Sequence, residues 1–347
     1  MNILVVDDSV VFRTAISQAL NEVSGFSVSK TCSNGKLAID YLQREETVDL
    51  VILDLEMPVM DGLETIRELR KFNKIIPIIV FSSQTTQGAE KTITALQNGA
   101  NDFVAKITGT GTIDGSLKMI RSELVPRIEA LCNKGRLSSR EVVKEETCEI
   151  TKVVEKMQIK PKLICIGSST GGPEALMTIF KGIVGMPSIP ILIVQHMPPV
   201  FTQKLAEMLN KNSELTISEA KNGDQLKVGH CLIAPGDYHM TLSKDLTISL
   251  NQKDKVCFVR PSVDVLLNSV TENFSGQVLS IILTGMGEDG ANGSRSLKTK
   301  NAYQFTQDKD SCVVWGMPGA VMRAEVGASA IKLADIPKLI TMVSKRI

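Results

Sequence analysis

Two groups of polar residues in this sequence have types and spacings that suit chemistry. The first is acidic. Asp7-Asp8 follows one short apolar run, Asp54 ends a second, Ser82-Ser83 ends a third and Lys106 follows a fourth. Carboxylates forced together repel and raise one another's pKa unless a cation intervenes. A hard ion such as Mg²⁺ meets that demand, binding one or two carboxylates plus phosphate while keeping some waters. A carboxylate beside such an ion can attack phosphorus and become an acyl phosphate. A single Asp at a strand end is usually a helix cap or a turn former. Four such positions in chain order, each at a strand end, argue instead for a shared site.

The second group centres on a serine. Gly167-Ser168-Ser169-Thr170-Gly171-Gly172 follows an apolar run and precedes a segment of helical spacing. Such a turn suits anion binding at a helix N-terminus or a nucleophile on a sharp bend, and residues 167–171 fit G-x-S-x-G with Ser169 central. The glycine spacing does not fit G-x-G-x-x-G, and no lysine follows as in a P-loop. Taken alone, a Ser/Gly-rich stretch is more often a structural turn. A serine nucleophile needs a base, and the base an orienter. The chain has three histidines. His196 directly follows an apolar run, at the end where Ser169 must lie; His230 begins a run, and His239, in a loop, is the second choice. For the orienter, Thr284-Gly285-Met286-Gly287-Glu288-Asp289-Gly290-Ala291 offers Asp289 or Glu288. Its glycines let backbone approach a ligand, and N–H groups around Met286 suit an oxyanion hole. The plainer reading of Asp289-Gly290 is an ordinary turn.

The elements that position these residues alternate between strand and helix. Apolar runs at 3–6, 50–53 and 77–81 predict buried parallel strands, with weaker strands at 27–32 and 102–105. Helical spacing covers 10–21, 36–44, 62–71, 88–98 and 116–131. Residues 133–160 are rich in Lys, Glu, Ser and Thr and read equally as a linker or an exposed amphipathic helix. The α/β pattern then restarts, with strands at 163–166, 189–195, 230–234 and 278–283 and a hairpin at 241–250. Helices are expected at 172–181, 201–211, 262–273 and 291–300. Alternating β and α implies doubly wound, mainly parallel sheets, whose function gathers at the carboxyl ends of the strands.

Composition narrows the classes. At 347 residues, two domains are the default. Apolar residues make up 43% and charged residues 22%, as in ordinary globular proteins. With 39 basic and 38 acidic residues there is no global basic field for nucleic acid, and 4% aromatics make base stacking a poor expectation. No apolar run approaches the roughly 20 residues a membrane span needs. Asp7 and Asp8 cut the first run short, so no signal peptide is read and the cytoplasm is the expected compartment. The seven cysteines are scattered and form no C-x-x-C pair, which argues against a disulfide framework or a thiolate zinc site. Most are expected to be reduced packing residues.

The motifs together resemble known families. Val5-Val6-Asp7-Asp8-Ser9, the run from Asp54 to Gly62, Pro77-Ile78-Ile79-Val80-Phe81-Ser82-Ser83 and Phe103-Val104-Ala105-Lys106 are similar to a response-regulator receiver domain of flavodoxin-like fold over residues 1–122. That resemblance implies that Asp54 accepts phosphate from a chemotaxis histidine kinase. It also implies that Asp8, Asp54 and the Glu56 carbonyl hold Mg²⁺, with Asp7 in support. Ser82 and Lys106 would bind phosphoryl oxygens, and Phe103 matches the aromatic switch position. Ile107 departs from the family, which has Pro there. Segments from residues 161–347, including 166–176, 195–202, 233–240, 260–267, 283–291 and 316–318, resemble the catalytic domain of chemotaxis protein-glutamate methylesterases of the CheB type, with 123–160 as terminal helix and linker. Ser168 and Gly319-Ala320 are small departures.

The second resemblance assigns Ser169 as nucleophile, His196 as base and Asp289 as orienter; for such a triad the backbone N–H groups at Thr170 and Met286 are the expected oxyanion donors. It implies hydrolysis of glutamate γ-methyl esters on chemoreceptors, possible deamidation of glutamine by the same groups, and no cofactor in the catalytic domain. A monomer without membrane insertion is the default. Rival readings are a phosphorylation-controlled receptor-binding module without catalysis, a nucleotide-binding regulator, and a DNA-binding regulator. The last lacks a basic helix-turn-helix segment.

Overall fold

The apolar runs of the first third of the chain become the middle of a parallel sheet. In the computed structural model, which describes residues 1–44, 47–106, 113–132 and 150–345, the strands are β1 (Asn2–Val6), β2 (Ser27–Cys32), β3 (Leu50–Asp54), β4 (Ile78–Ser82) and β5 (Asp102–Ala105). They pair in parallel in the order β2-β1-β3-β4-β5. The side chains of β3 and β4 are buried throughout, as a sheet covered on both faces requires. The crossovers are α1 (Val10–Asn21), α2 (Gly35–Leu42), α3 (Gly62–Phe72) and α4 (Thr86–Gln97), and α5 (Ile113–Cys132) follows β5. Ser9, Asn34, Asp61 and Thr85 cap the first four helices by accepting from Phe12, Leu37, Glu64 and Gly88 N–H groups. Those caps start each helix soon after its strand, so the strand ends stay open on one edge. The winding reverses between β1 and β3, where such sheets form a crevice.

The second sheet has the order β14-β13-β12-β6-β7-β9-β8, with every pair parallel. Its strands are β6 (Leu163–Ser168), β7 (Ile191–Gln195), β8 (Thr216–Glu219), β9 (His230–Ile233), β12 (Val278–Ile282), β13 (Tyr303–Gln307) and β14 (Ser329–Ile331). A separate antiparallel hairpin joins β10 (His239–Leu242) to β11 (Ile248–Asn251). The helices are α6 (Ile150–Lys156), α7 (Gly172–Gly182), α8 (Phe201–Lys211), α9 (Val263–Thr271), α10 (Ala291–Lys298), α11 (Met317–Arg323) and α12 (Ile336–Lys345). From β6 the chain first winds through β7 to β9 and β8, then returns to β12 and winds the other way. The reversal lies between β6 and β12.

The chain divides into two compact units, Met1–Ser138 and Ser139–Ile347. Helix α5 continues through residue 122, and α6 occupies residues 150–156 of the segment read as linker or helix. Ile107 and residues 133–149 lie outside the described residues. Strands β8, β13 and β14 and helices α11 and α12 were not expected from sequence. Strands β8 and β14 are short edge strands, and β13 carries buried Gln304, Thr306 and Gln307, so none presents an apolar run. No described helix is long and apolar enough to cross a membrane.

Candidate functional site

Each reversal point gathers the polar residues expected there. In the first unit, Asp7 follows β1 and Asp54 ends β3; both are buried, while Asp8 is exposed. One carboxylate oxygen from each of the three lies within 4.8 Å of the others. Lys106 Nζ stands 2.7 Å from Asp54 Oδ2 and 3.3 Å from Asp7 Oδ2. Asp7 Oδ1 accepts the Ser9 N–H at 2.8 Å and the Asp7 carbonyl accepts Arg13 Nη1, while the buried Asp7 Oδ2 faces only the Lys106 ammonium. Burial pushes the Asp54 carboxyl above its ordinary range, and the hydrogen bond and charge of Lys106 only partly oppose that. Burial pulls Lys106 down, yet its bond to Asp54 and the charges of Asp54 and Asp7 leave it raised. Three clustered carboxylates met by a single ammonium make an all-oxygen donor set that fits a hard divalent cation such as Mg²⁺.

Ser82 is buried at the end of β4 and its hydroxyl donates to the Gly88 carbonyl at 3.0 Å, at the start of α4. Phe103 is buried on β5. The Glu56 side chain is exposed and pairs with Lys91 at 2.9 Å, which leaves its carbonyl as the group able to serve an ion.

In the second unit, β6 ends at Ser168 and α7 begins at Gly172, so Ser169 rides a three-residue turn between them. Gly171 has φ +76°, and a Cβ there would press on Val313 at 2.6 Å. Gly285 brings the loop after β12 against the serine: a Cβ on it would lie 2.8 Å from Ser169 Cβ and clash with Met317 Sδ. The Ser169 N–H donates to the Thr284 carbonyl at 3.0 Å, and the His196 N–H donates to the Ser168 carbonyl at 3.1 Å. Strands β12, β6 and β7 therefore bring Gly285, Ser169 and His196 to one rim.

His196 Nε2 is 2.8 Å from Asp289 Oδ2. An ionised carboxylate only accepts, so Nε2 is the nitrogen that donates to Asp289. Asp289 is 1% exposed and also accepts from Val263 N at 2.6 Å, Asp264 N at 3.0 Å and Ser262 Oγ at 2.8 Å. Those N–H groups open α9, whose positive end favours an anion. Burial pushes Asp289 up, but the His196 hydrogen bond and charge and these backbone donors hold it below the usual carboxylate range. Glu288 is exposed. His239 is buried and bonded to the Asp254 carbonyl at 3.0 Å, a structural role, and His230 begins β9. Thr170 is buried, its carbonyl held by Thr284 Oγ1 at 2.9 Å, and Met286 sits next to Gly285 on the rim.

Sequence reasoning missed four supports. Gln195 is buried and accepts from Ser168 Oγ at 2.6 Å while donating to the Ser169 carbonyl at 3.0 Å. Ser262 caps α9 and holds Asp289, Thr284 spans the Thr170 and Val314 carbonyls, and Gln307 accepts the Thr284 N–H at 2.9 Å. The available signal was a polar residue at the carboxyl end of an apolar run, as Gln195 is.

Comparison with known proteins follows the same division. The CheB methylesterase family model matches residues 164–340, and that of the response regulator receiver domain matches residues 3–118. A protein-glutamate methylesterase/protein-glutamine glutaminase from Trichodesmium erythraeum is 37% identical over 350 residues, covering 99% of this chain and 98% of its own. A protein of the same name from Methanococcus maripaludis is 33% identical over 365 residues, covering 100% and 99%. Among solved structures, the catalytic domain of Thermotoga maritima CheB methylesterase is 40% identical with a TM-score of 0.50, covering 52% of this chain and 98% of that one.

Proposed function

This chain belongs to the CheB methylesterase family and carries a response-regulator receiver domain, and on that premise we propose that it hydrolyses glutamate γ-methyl esters on chemoreceptors under the control of phosphorylation at Asp54. The observation that carries the reading is the 2.8 Å His196–Asp289 pair, tied through the His196 N–H to the turn that bears Ser169. A module that only bound its receptor would have no use for an oriented imidazole there.

In this reading His196 Nδ1 takes the Ser169 proton as Oγ attacks the ester carbonyl carbon. General-base help of this kind is worth on the order of 10²–10⁴-fold. The Thr170 and Met286 N–H groups stabilise the oxyanion, each such donor being worth roughly 3–4 kcal/mol. Methanol leaves with the proton from His196, and water hydrolyses the acyl-serine by the same steps in reverse. Asp289 holds the ring and balances its charge without accepting the proton. A glutamine amide would follow the same course, releasing ammonia.

In the receiver, Asp54 takes the phosphoryl group from a chemotaxis histidine kinase. Asp8, Asp54 and the Glu56 carbonyl would hold Mg²⁺, with Asp7 in support, and the bound ion offsets the charge of carboxylate and phosphoryl group. Lys106 exchanges its pairing with Asp54 for a phosphoryl oxygen. Ser82 exchanges the Gly88 carbonyl for another, and that coupling to α4 and Phe103 is the switch. The functional units are residues 1–122 and 161–347 joined by 123–160. The unphosphorylated receiver restrains the esterase, so removing residues 1–150 raises basal activity. In this reading the protein acts in the cytoplasm as a monomer, on receptors, without inserting into the membrane or binding nucleic acid.

The test is methanol release from methylated receptor membranes, comparing wild type with Ser169→Ala, each with and without a small-molecule phosphodonor. Release that needs Ser169 and rises with the phosphodonor is expected. No release from folded, phosphorylated wild type would turn the reading toward a binding module.

A further inference from the structure

The carboxylate that orients His196 belongs to a second cluster. Cys257, Asp264 and Asp289 each place one donor atom, a thiol sulfur or a carboxylate oxygen, within 4.8 Å of the others. Asp264 is 2% exposed, and its Oδ1 accepts the Gly290 N–H at 2.9 Å and the Gly293 N–H at 2.7 Å. Its Oδ2 is buried and has no hydrogen-bond partner. A buried acceptor left unsatisfied is costly, and more so when charged. Cys257 is the exposed member of the described cysteines, so the cluster opens to solvent at its thiol end. The thiol rides a turn closed by the Val256 and Val259 backbone pair, with N–H to carbonyl distances of 3.2 and 3.0 Å.

We propose that Cys257, Asp264 and Asp289 form a site for a thiophilic divalent cation of the Zn²⁺ class, and that filling it inhibits ester hydrolysis by drawing Asp289 away from His196. The coupling rests on the esterase reading of Ser169, His196 and Asp289; the binding does not. Two buried carboxylates beside a thiol form an anionic corner that a cation relieves. Thiolate and carboxylate together select Zn²⁺ over Mg²⁺, which takes oxygen donors. On binding, the thiol S–H bond breaks, a sulfur–metal bond forms and the proton goes to solvent. A tetrahedral Zn²⁺ holds such donors ~3.5 Å apart, with water free to take the fourth position. The exposed turn at Cys257 is the side from which the cluster closes on the ion. Asp289 has no spare acceptor position: its Oδ2 already takes His196 and Val263, and its Oδ1 takes Ser262 and Asp264 N. A cation there competes with these donors. Of the four, the imidazole is the one whose orientation catalysis needs.

The experiment uses the full chain without phosphodonor, so that activity does not depend on Mg²⁺ in the receiver. Cd²⁺ is titrated into metal-free protein and read by thiolate-to-metal absorbance. One equivalent bound with that absorbance is expected in wild type and none in Cys257→Ser, while Asp264→Asn lowers the affinity about tenfold. In parallel, Zn²⁺ lowers methanol release about tenfold or more in wild type, a chelator restores it, and Cys257→Ser, active without metal, is insensitive. Equal absorbance in wild type and Cys257→Ser, or equal inhibition of both, overturns the site. Cys257-dependent binding with Zn²⁺-insensitive release overturns the inhibitory coupling. Wild type that releases no methanol under any condition overturns the esterase reading instead, while the absorbance still decides the site.

Discussion

Asp54 and Asp289 occupy comparable places and are treated in opposite ways. Each is a buried carboxylate at the carboxyl edge of a parallel sheet, next to the point where the winding reverses. Asp54 meets one cation, Lys106, and shares its corner with Asp7, and burial lifts it above the ordinary range. Asp289 meets four donors, two of them at the start of α9, and is held below that range. A carboxylate short of donors keeps lone pairs for an incoming cation or phosphorus. One saturated with donors yields a lone pair only by giving up a donor, which suits it to hold a ring in place. In the proposed reading, the same edge of the same sheet type builds an acceptor in one unit and an orienter in the other, and donor count separates them.

The comparison is sharpened first at the proposed nucleophile. Ser169→Ala should lower methanol release about 10⁴-fold or more in a protein with an unchanged circular dichroism spectrum. Asp289→Asn should come next, at about 10³-fold, because the amide no longer fixes the imidazole tautomer. It also tests the electrostatics. The folded-state pKa of Asp289 is lowered, so its stabilising effect is full above the unfolded value of ~4 and fades as pH falls through the lowered one. Denaturant unfolding should therefore show wild type losing its advantage over Asp289→Asn, about 1–3 kcal/mol at neutral pH, as the solution is acidified. An advantage that persists at acid pH would mean that the ionised carboxylate is not its source.

Gly285→Ala should cost about 10²-fold in kcat, since the added methyl group meets Ser169 Cβ at 2.8 Å and pushes the proposed nucleophile off line. Wild-type kinetics in this variant would show that the loop after β12 does not set the serine's position. The smallest effect is expected at Ser82→Ala. It keeps Asp54 and Lys106 and should still accept phosphate, measured with labelled phosphodonor, while the rise in methanol release on phosphorylation shrinks. A full rise would place the switch elsewhere than the Ser82–Gly88 bond.

Much of both sites was legible because their residues sit where apolar runs stop. Asp7, Asp54, Ser82, Ser169 and His196 each end or follow such a run, and a parallel sheet leaves that edge open. Asp289 was harder, because Glu288 beside it has the same chemistry; burial and the α9 N-terminus separate them. Gln195 was passed over as the last residue of a strand, although its amide ties β6 to β7. The seven cysteines without a C-x-x-C pair argued against a thiolate metal site, and spacing along the chain is blind to the corner where Cys257, Asp264 and Asp289 meet.

By itself, then, the sequence determined two α/β halves, their central strands and the residue types at the strand ends, because burial on both faces forces continuous apolar runs and helix caps have local chemistry. Only the tertiary structure decided the strand order that places Ser169, His196 and Asp289 on one rim, the edge strands β8 and β14, and the opposite donor environments of Asp54 and Asp289. Those depend on contacts between residues far apart in the chain, such as Asp289 with the start of α9, and no local pattern encodes the distance between them.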